Sequence, residues 1–271
     1  MWVAPPGARV ERMGERTEYT PGTFSWADLS TTDQDGAKSF YGQLFGWTAV
    51  DNPVGEGMVY SMMQLDGKEV AAISTQPEQQ REAGVPPTWN SYVTVQSADD
   101  AATKAKELGA NVHAPPFDVM DVGRMAVVQD PQGAFFMLWE PRAHIGASLV
   151  NAPGALSWNE LATPDLDGST SFYGELFGWK VEPFGASEQP YFTIQNDGHG
   201  NGGMRPLMPA EPQPYWLVYF GSDDVEQGLA RVQELGGQKL ADPVDIGVGK
   251  LGFALDPQGA AFALYAGQFE P

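Results

Sequence analysis

The sequence contains no cysteine, and positive charge is scarce. Without cysteine the chain can form no disulfide, no thiolate metal site and no cysteine nucleophile. It has 15 Lys and Arg against 35 Asp and Glu, a net charge of −20, with no basic cluster. We therefore expect no nucleic-acid partner, because phosphate binding depends on concentrated positive charge.

Long apolar runs are also missing. Residues 1–16 mix Pro, Gly, Arg and Glu and contain no apolar core of seven or more residues. This composition is typical of neither a signal peptide nor a membrane span, so we expect a cytoplasmic protein with no membrane partner. Glycine-rich nucleotide loops and the Gly-x-Ser-x-Gly elbow of serine hydrolases are absent as well.

The chain carries an internal duplication. The Asp-Pro-Gln-Gly turn at 130–133 returns with its following strand at 256–259. The segment Phe-Tyr-Gly-Gln-Leu-Phe-Gly-Trp at 40–47 returns at 172–179 with one substitution. A repeat of this strength predicts two domains in a chain of this length. We expect a flexible N-terminal tail at 1–20 and a first domain at 21–141. A connector at 142–153 then leads to a second domain at 154–271.

Each domain has the pattern of two βαβββ units. In the first unit a helix is expected to begin after the N-cap Asp33 and to end at Gly46. The strands predicted for this unit lie at 23–29, 47–50, 58–65 and 70–74. The second unit is predicted to have a helix at 98–108 and strands at 89–95, 111–113, 124–129 and 134–140. The same order recurs from residue 156, so we predict an α+β fold with four βαβββ units.

The repeated segments resemble one known superfamily. A helix ending in Phe-Tyr-x-x-Leu-Phe-Gly-Trp, with a closing Asp-Pro-x-Gly strand, is similar to the vicinal oxygen chelate proteins. These include glyoxalase I, extradiol dioxygenases, and the fosfomycin and bleomycin resistance proteins. The resemblance covers residues 20–267. Segments 26–29, 158–161 and 144–150 are similar to a two-domain actinobacterial subgroup that includes a mycobacterial culture-filtrate antigen and carries glyoxalase-like or hydroxylase labels.

The resemblance implies both an architecture and a metal site. In the family, paired units form a curved mixed sheet, an open cup into which metal ligands point from particular strands. The matching positions hold Trp26, Asn90 and Met137 in the first glyoxalase-like domain, and Trp158, Leu217 and Ala263 in the second. Metals of this family prefer imidazole nitrogen and carboxylate oxygen, which indole, thioether and methyl groups cannot replace. We therefore expect no metal and no other cofactor.

The three histidines do not change this expectation. His113 lies in a strand-to-loop region, His144 in the connector and His199 in a Gly-rich turn. Such loop-like surroundings favour structural or solvent-facing roles over metal binding.

Strand alternation defines the faces that line the two cups, if Trp26 and Met137 hold the family's ligand positions. The first cup is then lined by Trp26, Asp28, Asn90, Tyr92, Phe135, Met137 and Trp139. The second is lined by Trp158, Glu160, Leu217, Tyr219, Ala261, Ala263 and Tyr265. We expect it to be roomier, because Ala263 replaces Met137. Walls of this kind suit small organic ligands, and they are equally compatible with simple core packing.

Two inward carboxylates, Asp28 and Glu160, occupy equivalent positions in the two copies. Burying a carboxylate is costly unless it is hydrogen-bonded or reached by water. Two roles stay open for each. One is structural, as an acceptor of backbone N–H groups or a partner of an arginine. The other is ligand contact or proton transfer.

The favoured hypothesis is a metal-independent small-molecule binding protein, acting in sequestration or resistance. It would hold a small, partly aromatic metabolite or antibiotic in one or both cups. The alternative is a metal-independent lyase, isomerase or hydrolase, with Asp28 or Glu160 as general acid or base and a pKa raised by apolar walls. A metal-dependent glyoxalase or dioxygenase is less expected, because the ligands are missing. In either case, one domain could serve only as a scaffold for the other or for a dimer. The sequence is compatible with both a monomer and a homodimer.

Overall fold

The first domain is one mixed eight-stranded sheet with three helices, in a computed structural model that describes residues 14–55, 57–185 and 190–269. Its strands are β1 (Phe24–Thr31), β2 (Thr48–Gly55), β3 (Met58–Leu65), β4 (Lys68–Thr75), β5 (Thr88–Thr94), β6 (Asn111–Val119), β7 (Gly123–Gln129) and β8 (Phe135–Pro141). Its helices are α1 (Gln34–Phe45), α2 (Glu78–Glu82) and α3 (Ala98–Glu107). The strand order is β2-β3-β4-β1-β5-β8-β7-β6. Only the pairs β1–β4 and β5–β8 are parallel among these neighbours.

The second domain repeats this topology. Its strands are β9 (Leu156–Thr163), β10 (Lys180–Pro183), β11 (Phe192–Asn196), β12 (His199–Pro206), β13 (Tyr215–Gly221), β14 (Gln238–Lys239), β15 (Val244–Asp245), β16 (Gly249–Leu255) and β17 (Ala261–Gly267). Its helices are α4 (Leu166–Phe177) and α5 (Val225–Glu234). The order is β10-β11-β12-β9-β13-β17-β16-β14, with β15 beside β16. The predicted α+β fold, with two curled mixed sheets built from four βαβββ units, is confirmed.

The long helices begin and end where the sequence predicts. The carboxylate of Asp33 accepts the backbone N–H of Gly36 at 3.0 Å, so it caps α1, and Asp165 caps α4 in the same way. Gly46 follows α1 with φ 76°, a left-handed conformation that glycine adopts without steric cost. These caps fix how each helix returns to its sheet.

Three elements differ from the prediction. Strand β2 was expected at 47–50, yet it continues to Gly55. Strand β6 was expected only at 111–113, yet it continues to Val119 through the pair Pro115–Pro116. It lies at the edge of the sheet, and its pairing shifts register between Ala114 and Phe117, where proline is tolerated. The segment 76–87 was expected to be a loop, but it contains the short helix α2.

The start of the described chain pairs with the connector. Glu15 forms a bridge with Leu149, and the Tyr19 hydroxyl donates to the Ala147 carbonyl at 2.6 Å. Of the expected tail, residues 14–20 thus have defined contacts, and residues 1–13 lie outside the described residues. The boundaries between tail, domains and connector stay predictions. No helix in the described part of the chain is long and apolar enough to cross a membrane.

The Asp-Pro-Gln-Gly turns join the two domains. The Asp130 carboxylate accepts three backbone N–H groups of its own turn and the hydroxyl of Tyr173, from α4 of the second domain, at 2.9 Å. In the reciprocal contact, Tyr41 of α1 donates to Asp256 at 3.1 Å. We call these contacts the cross-domain Tyr–Asp pairs. Each helix therefore packs against the sheet of the other domain.

Candidate functional site

The floor of the first cup assembles as the sequence predicts. The β1–β5 register places Asp28 opposite Asn90 and Trp26 opposite Tyr92. In the parallel β5–β8 pair, Tyr92 lies beside Met137. Asn90 is half-buried, and the other side chains of this floor are almost completely buried, with exposed fractions of 3% for Trp26 and 8% for Met137. Trp139 is likewise buried, and its indole donates to a carbonyl of the connector.

Asp28 is the polar centre of this floor. Its Oδ1 accepts the amide of Asn90 at 2.8 Å, and its Oδ2 accepts the hydroxyls of Tyr92 at 2.7 Å and Tyr60 at 3.0 Å. Burial raises the pKa of the Asp28 carboxyl, and these three hydrogen bonds oppose the rise. A backbone N–H or an arginine was considered from the sequence as a structural partner of Asp28. Among the described residues neither contacts it, and its partners are the three side chains named above.

Two residues of this cup were not predicted from the sequence. Tyr60 of β3 accepts the Trp26 indole at 3.0 Å and donates to Asp28, so it links the two. The ring of His144 lies edge-on to Trp26 at a centroid distance of 4.6 Å. Its Nδ1 is 3.2 Å from Glu69, and its buried Nε2 finds no hydrogen-bond partner among the described residues. The alternation of β3 could have indicated Tyr60, whereas no local pattern places His144.

The walls of the first cup are apolar, half-buried near the floor and exposed further out. In the β3–β4 register, Tyr60 lies opposite Ser74 and Met62 lies opposite Ala72. Ala72 in turn pairs with Asp28 of β1. On the opposite side, the register places Val127 beside Met137 and Met125 beside Trp139. Further out, Met58 and Phe117 are 61% and 44% exposed. The first cup is therefore a concave apolar surface above a buried carboxylate.

The second cup has the same plan with a different charge balance. The Trp158 indole donates to the Tyr191 hydroxyl at 3.0 Å, as the Trp26 indole does to Tyr60. Glu160 accepts the Tyr219 hydroxyl at 2.8 Å through one oxygen. Through the other it accepts Nε of Arg205 at 2.7 Å. Pairing with an arginine was one of the structural roles considered for this carboxylate.

Arg205 is fully engaged inside the protein. Its remaining N–H groups contact Glu211 at 2.6 and 2.9 Å, the Tyr215 hydroxyl at 3.1 Å and the Pro206 carbonyl at 3.1 Å. Burial raises the pKa of Glu211, but hydrogen bonds from Arg205, Tyr215 and the Met208 backbone outweigh it and hold that pKa at about 2. The cluster therefore keeps its charges paired and leaves Arg205 no spare donor.

The floor of the second cup is tightly filled. Ala263 and Tyr219 are 0% and 1% exposed, and Leu217 is also buried. Phe253 lies beside Ala263 in the sheet, and its ring is 6.2 Å from that of Tyr219. Extra room at Ala263 was expected, but the alanine is completely covered by its neighbours. Tyr265 lies at the rim, where the carbonyls of Gln268 and Val248, at 3.0 and 3.2 Å, are alternative acceptors for its hydroxyl proton.

Comparison with known proteins identifies the chain. A family model described as the glyoxalase/bleomycin resistance protein/dioxygenase superfamily matches residues 23–138 and 155–264. The chain belongs to this superfamily.

Relatives of similar length match over nearly the whole chain. A Mycobacterium tuberculosis protein, CFP32, whose name assigns it provisionally to the glyoxylases, is 44% identical over 93% of this chain and 97% of its own. DauV of Streptomyces sp. strain C5, an anthracycline biosynthesis protein, is 32% identical over 92% of this chain and 94% of its own. These relatives share the two-domain organisation of this superfamily member.

Solved structures show the same fold. The Mn(II)-bound glyoxalase of Novosphingobium aromaticivorans superposes with a TM-score of 0.66 at 15% identity, covering 92% of this chain and 83% of that one. The 2,3-dioxygenase LapB of Pseudomonas sp. KL28 gives a TM-score of 0.62 at 15% identity, covering 93% and 94%. At this identity the likeness concerns the fold and carries no activity with it.

The metal-ligand positions of the superfamily do not fit a divalent metal in this member. In the first cup the indole of Trp26 is a hydrogen-bond donor to Tyr60, and Met137 offers only a thioether. In the second, Leu217 and Ala263 offer no donor atom at all. Among the described residues, no group of three or more His, Asp or Glu is arranged to hold a metal ion.

Two surface clefts lie outside both cups. One of about 590 Å³ runs between α1, the connector and α5, and is lined by Phe45, Pro153 and Arg231 among others. The other, of about 460 Å³, lies between the end of α3 and the start of β6, beside Lys106 and His113. Neither cleft includes a predicted cup residue, so they are separate from the candidate site.

Proposed function

We propose that this protein is a metal-independent small-molecule binding protein that holds a partly aromatic ligand in one or both cups. The observation that carries the proposal is the composition of the first cup. Apolar walls, half-buried near the floor and exposed at Met58 and Phe117, rise above a single buried carboxylate, Asp28. The metal-ligand positions hold Trp26, Asn90 and Met137. Binding sites for small organic molecules have this combination of apolar area with a few oriented polar groups.

The chemistry of the walls favours a planar ligand. Trp26 and Tyr60 in the first cup, and Trp158 and Tyr191 in the second, form matching indole–phenol pairs. Faces of such rings stack on flat or cationic groups. The relative named for anthracycline biosynthesis is consistent with an aromatic ligand. We place this function in a cytoplasmic monomer or homodimer.

Two measurements test the proposal. Elemental analysis of the purified protein should find no stoichiometric Zn, Ni, Mn or Fe; one tightly bound ion per chain would overturn metal independence. Titration with a panel of aromatic metabolites should quench tryptophan fluorescence. The quenching should weaken in Trp26→Phe or Trp158→Phe, which report on separate cups, and persist in Trp47→Phe, a core residue outside both. Absence of quenching by every compound would count against ligand binding.

A metal-independent lyase, isomerase or hydrolase is the second candidate, and one observation favours Asp28 as its acid or base. Burial raises the pKa of this carboxyl, and no cation of the described chain is bonded to it. Glu160 is less suited, because it is held by Arg205. If any turnover is found, Asp28→Asn should abolish it and Glu160→Gln should spare it. Activity that survives Asp28→Asn would remove Asp28 from the chemistry.

A further inference from the structure

The two cups give their equivalent carboxylates different electrostatic surroundings. Asp28 pairs in register with Ala72 on the parallel neighbour β4, and Glu160 pairs with Gly203 on β12. Two residues further along these strands stand Ser74 in the first domain and Arg205 in the second. The second cup therefore contains its own counter-ion where the first has a hydroxyl group.

The residue that holds this arginine also differs. Tyr215, which bonds to Arg205, lies two residues before Leu217, the register partner of Glu160. The corresponding position in the first domain is Thr88, two residues before Asn90. The hydroxyls of Ser74 and Thr88 each donate a hydrogen bond to a backbone carbonyl at 3.4 Å. Hence, within residues 14–55, 57–185 and 190–269, the first cup holds neither an arginine equivalent to Arg205 nor a tyrosine equivalent to Tyr215.

Among the described residues, Asp28 therefore has no cationic partner, and it keeps spare acceptor capacity. All its bonds come from neutral donors, and Oδ1 accepts only one of them among the described residues. A carboxylate offers about four acceptor sites over its two oxygens. Two other titratable groups nearby, Glu69 and His144, face each other at 3.2 Å.

The surroundings of Asp28 suit a positive charge. Trp26, Tyr60 and Tyr92 are linked to it or to one another by hydrogen bonds, and Trp139 lies 6.4 Å from Tyr92 in an edge-on arrangement. Aromatic faces attract cations through their quadrupole, most strongly where water is excluded. The net charge of −20 also raises the local concentration of cationic molecules around the chain.

We propose that the first cup selects ligands that carry a protonated amine, with the ammonium group placed against Asp28, whereas the second cup does not. The ligand supplies to Asp28 the positive charge that Arg205 supplies to Glu160. A buried carboxylate is costly alone and favourable once it is paired and hydrogen-bonded. This inference rests on the proposed binding function and adds the chemical class of the ligand.

Three probes that differ only in charge test the inference. The binding of 1-naphthylmethylamine, 1-naphthylmethanol and 1-naphthoate to the full chain is measured by titration calorimetry at neutral pH. The amine should bind at least about 30-fold more tightly than the alcohol, since a desolvated charge pair is worth about 2 kcal/mol or more. The carboxylate should bind most weakly. Amide NMR shifts on titration should map the amine to the first cup.

Two variants locate the effect. Asp28→Asn should reduce the preference for the amine over the alcohol to within about threefold, because the charge pair is lost. Ser74→Arg should do the same with Asp28 intact, by supplying the counter-ion that the second cup has. The matched control is Thr193→Arg, which adds the same charge at a half-buried position of β11, beside Gly203 of the second cup. It should leave the preference unchanged.

The outcomes separate the two proposals. If the alcohol binds as tightly as the amine, the inference about charge is wrong and the binding function stands. If the amine preference survives both Asp28→Asn and Ser74→Arg, Asp28 does not receive the ammonium group. If none of the probes binds, the proposed function itself fails for aromatic ligands of this size. If Asp28→Asn does not fold, the amine preference measured in Ser74→Arg tests the inference by itself.

Discussion

The cross-domain Tyr–Asp pairs should contribute a large share of the stability of the two-domain unit. The Tyr41 hydroxyl donates to Asp256 and accepts the Trp89 indole at 2.9 Å, and every group involved is buried. Tyr41→Phe deletes one oxygen atom and leaves the fold of α1 untouched. It therefore isolates the hydrogen bonds of a contact that joins the two halves of the chain.

The magnitude follows from the two bonds that are lost. A hydrogen bond to a charged group is worth about 1.5–3 kcal/mol, and a buried donor left without an acceptor costs about 1–3 kcal/mol. Asp256 keeps its backbone N–H partners, so part of its charge stays solvated. We expect Tyr41→Phe to lower the free energy of unfolding by about 2–4 kcal/mol. Tyr173→Phe should do the same through Asp130 and Trp216.

Equilibrium urea denaturation followed by tryptophan fluorescence measures the loss. Tyr265→Phe is the matched control, because the Tyr265 hydroxyl bonds to a backbone carbonyl at the surface. Since each pair crosses between domains, the double variant Tyr41→Phe/Tyr173→Phe should also unfold less cooperatively, with a lower m-value or two transitions. The reasoning is refuted if Tyr41→Phe and Tyr173→Phe cost no more than Tyr265→Phe.

Three further predictions concern pH and backbone geometry. The pKa of Glu211 is about 2 against an ordinary 4.5, so this carboxylate adds stability that is present above pH 4.5 and lost toward pH 2. Glu211→Gln should flatten the fall of unfolding free energy across that window, and an unchanged slope would contradict it. The pKa of Asp28 in the folded protein is raised above its ordinary 3.8. The free energy of unfolding should therefore decline as the pH rises from 3.8 through the pKa of the folded state, and Asp28→Asn should remove that decline. Gly146 has φ 110°, and a Cβ there would meet the Ser25 carbonyl, so Gly146→Ala should lower the melting temperature more than Gly247→Ala, where φ is 80° and the space is open.

The sequence predicts those features of the structure that depend on residues close together in the chain, and it misses contacts between distant segments. The caps Asp33 and Gly46 and the alternation that places Asp28 beside Trp26 are local patterns, and they were confirmed. A duplicated motif also predicts the pairing of units into domains. His144 was missed because its position against Trp26 depends on the path of the connector around the sheet, which no periodicity records.

The contacts between domains lie beyond sequence patterns for the same reason. The repeat places an aspartate at 130 and a tyrosine at 173, but their contact depends on how the two sheets pack. Arg205 is a closer case. The register of β12 beside β9 places its side chain on the face of Glu160, so an alternation count from Gly203 could have found it. The sequence interpretation treated that glycine cluster as a turn.

The difference between the cups argues that their carboxylates serve different purposes. Glu160 is paired with Arg205, so its charge is compensated whether or not a ligand is present. Asp28 has no such partner among the described residues, and burial raises its pKa, so ionising this carboxyl is a cost to the native state. A purely structural acceptor has no need of that cost, because the second cup shows how the same fold removes it with one arginine. Strain and unpaired charge that persist in a folded protein concentrate where a ligand completes the site. The first cup is therefore the half of the molecule in which ligand binding should be sought first.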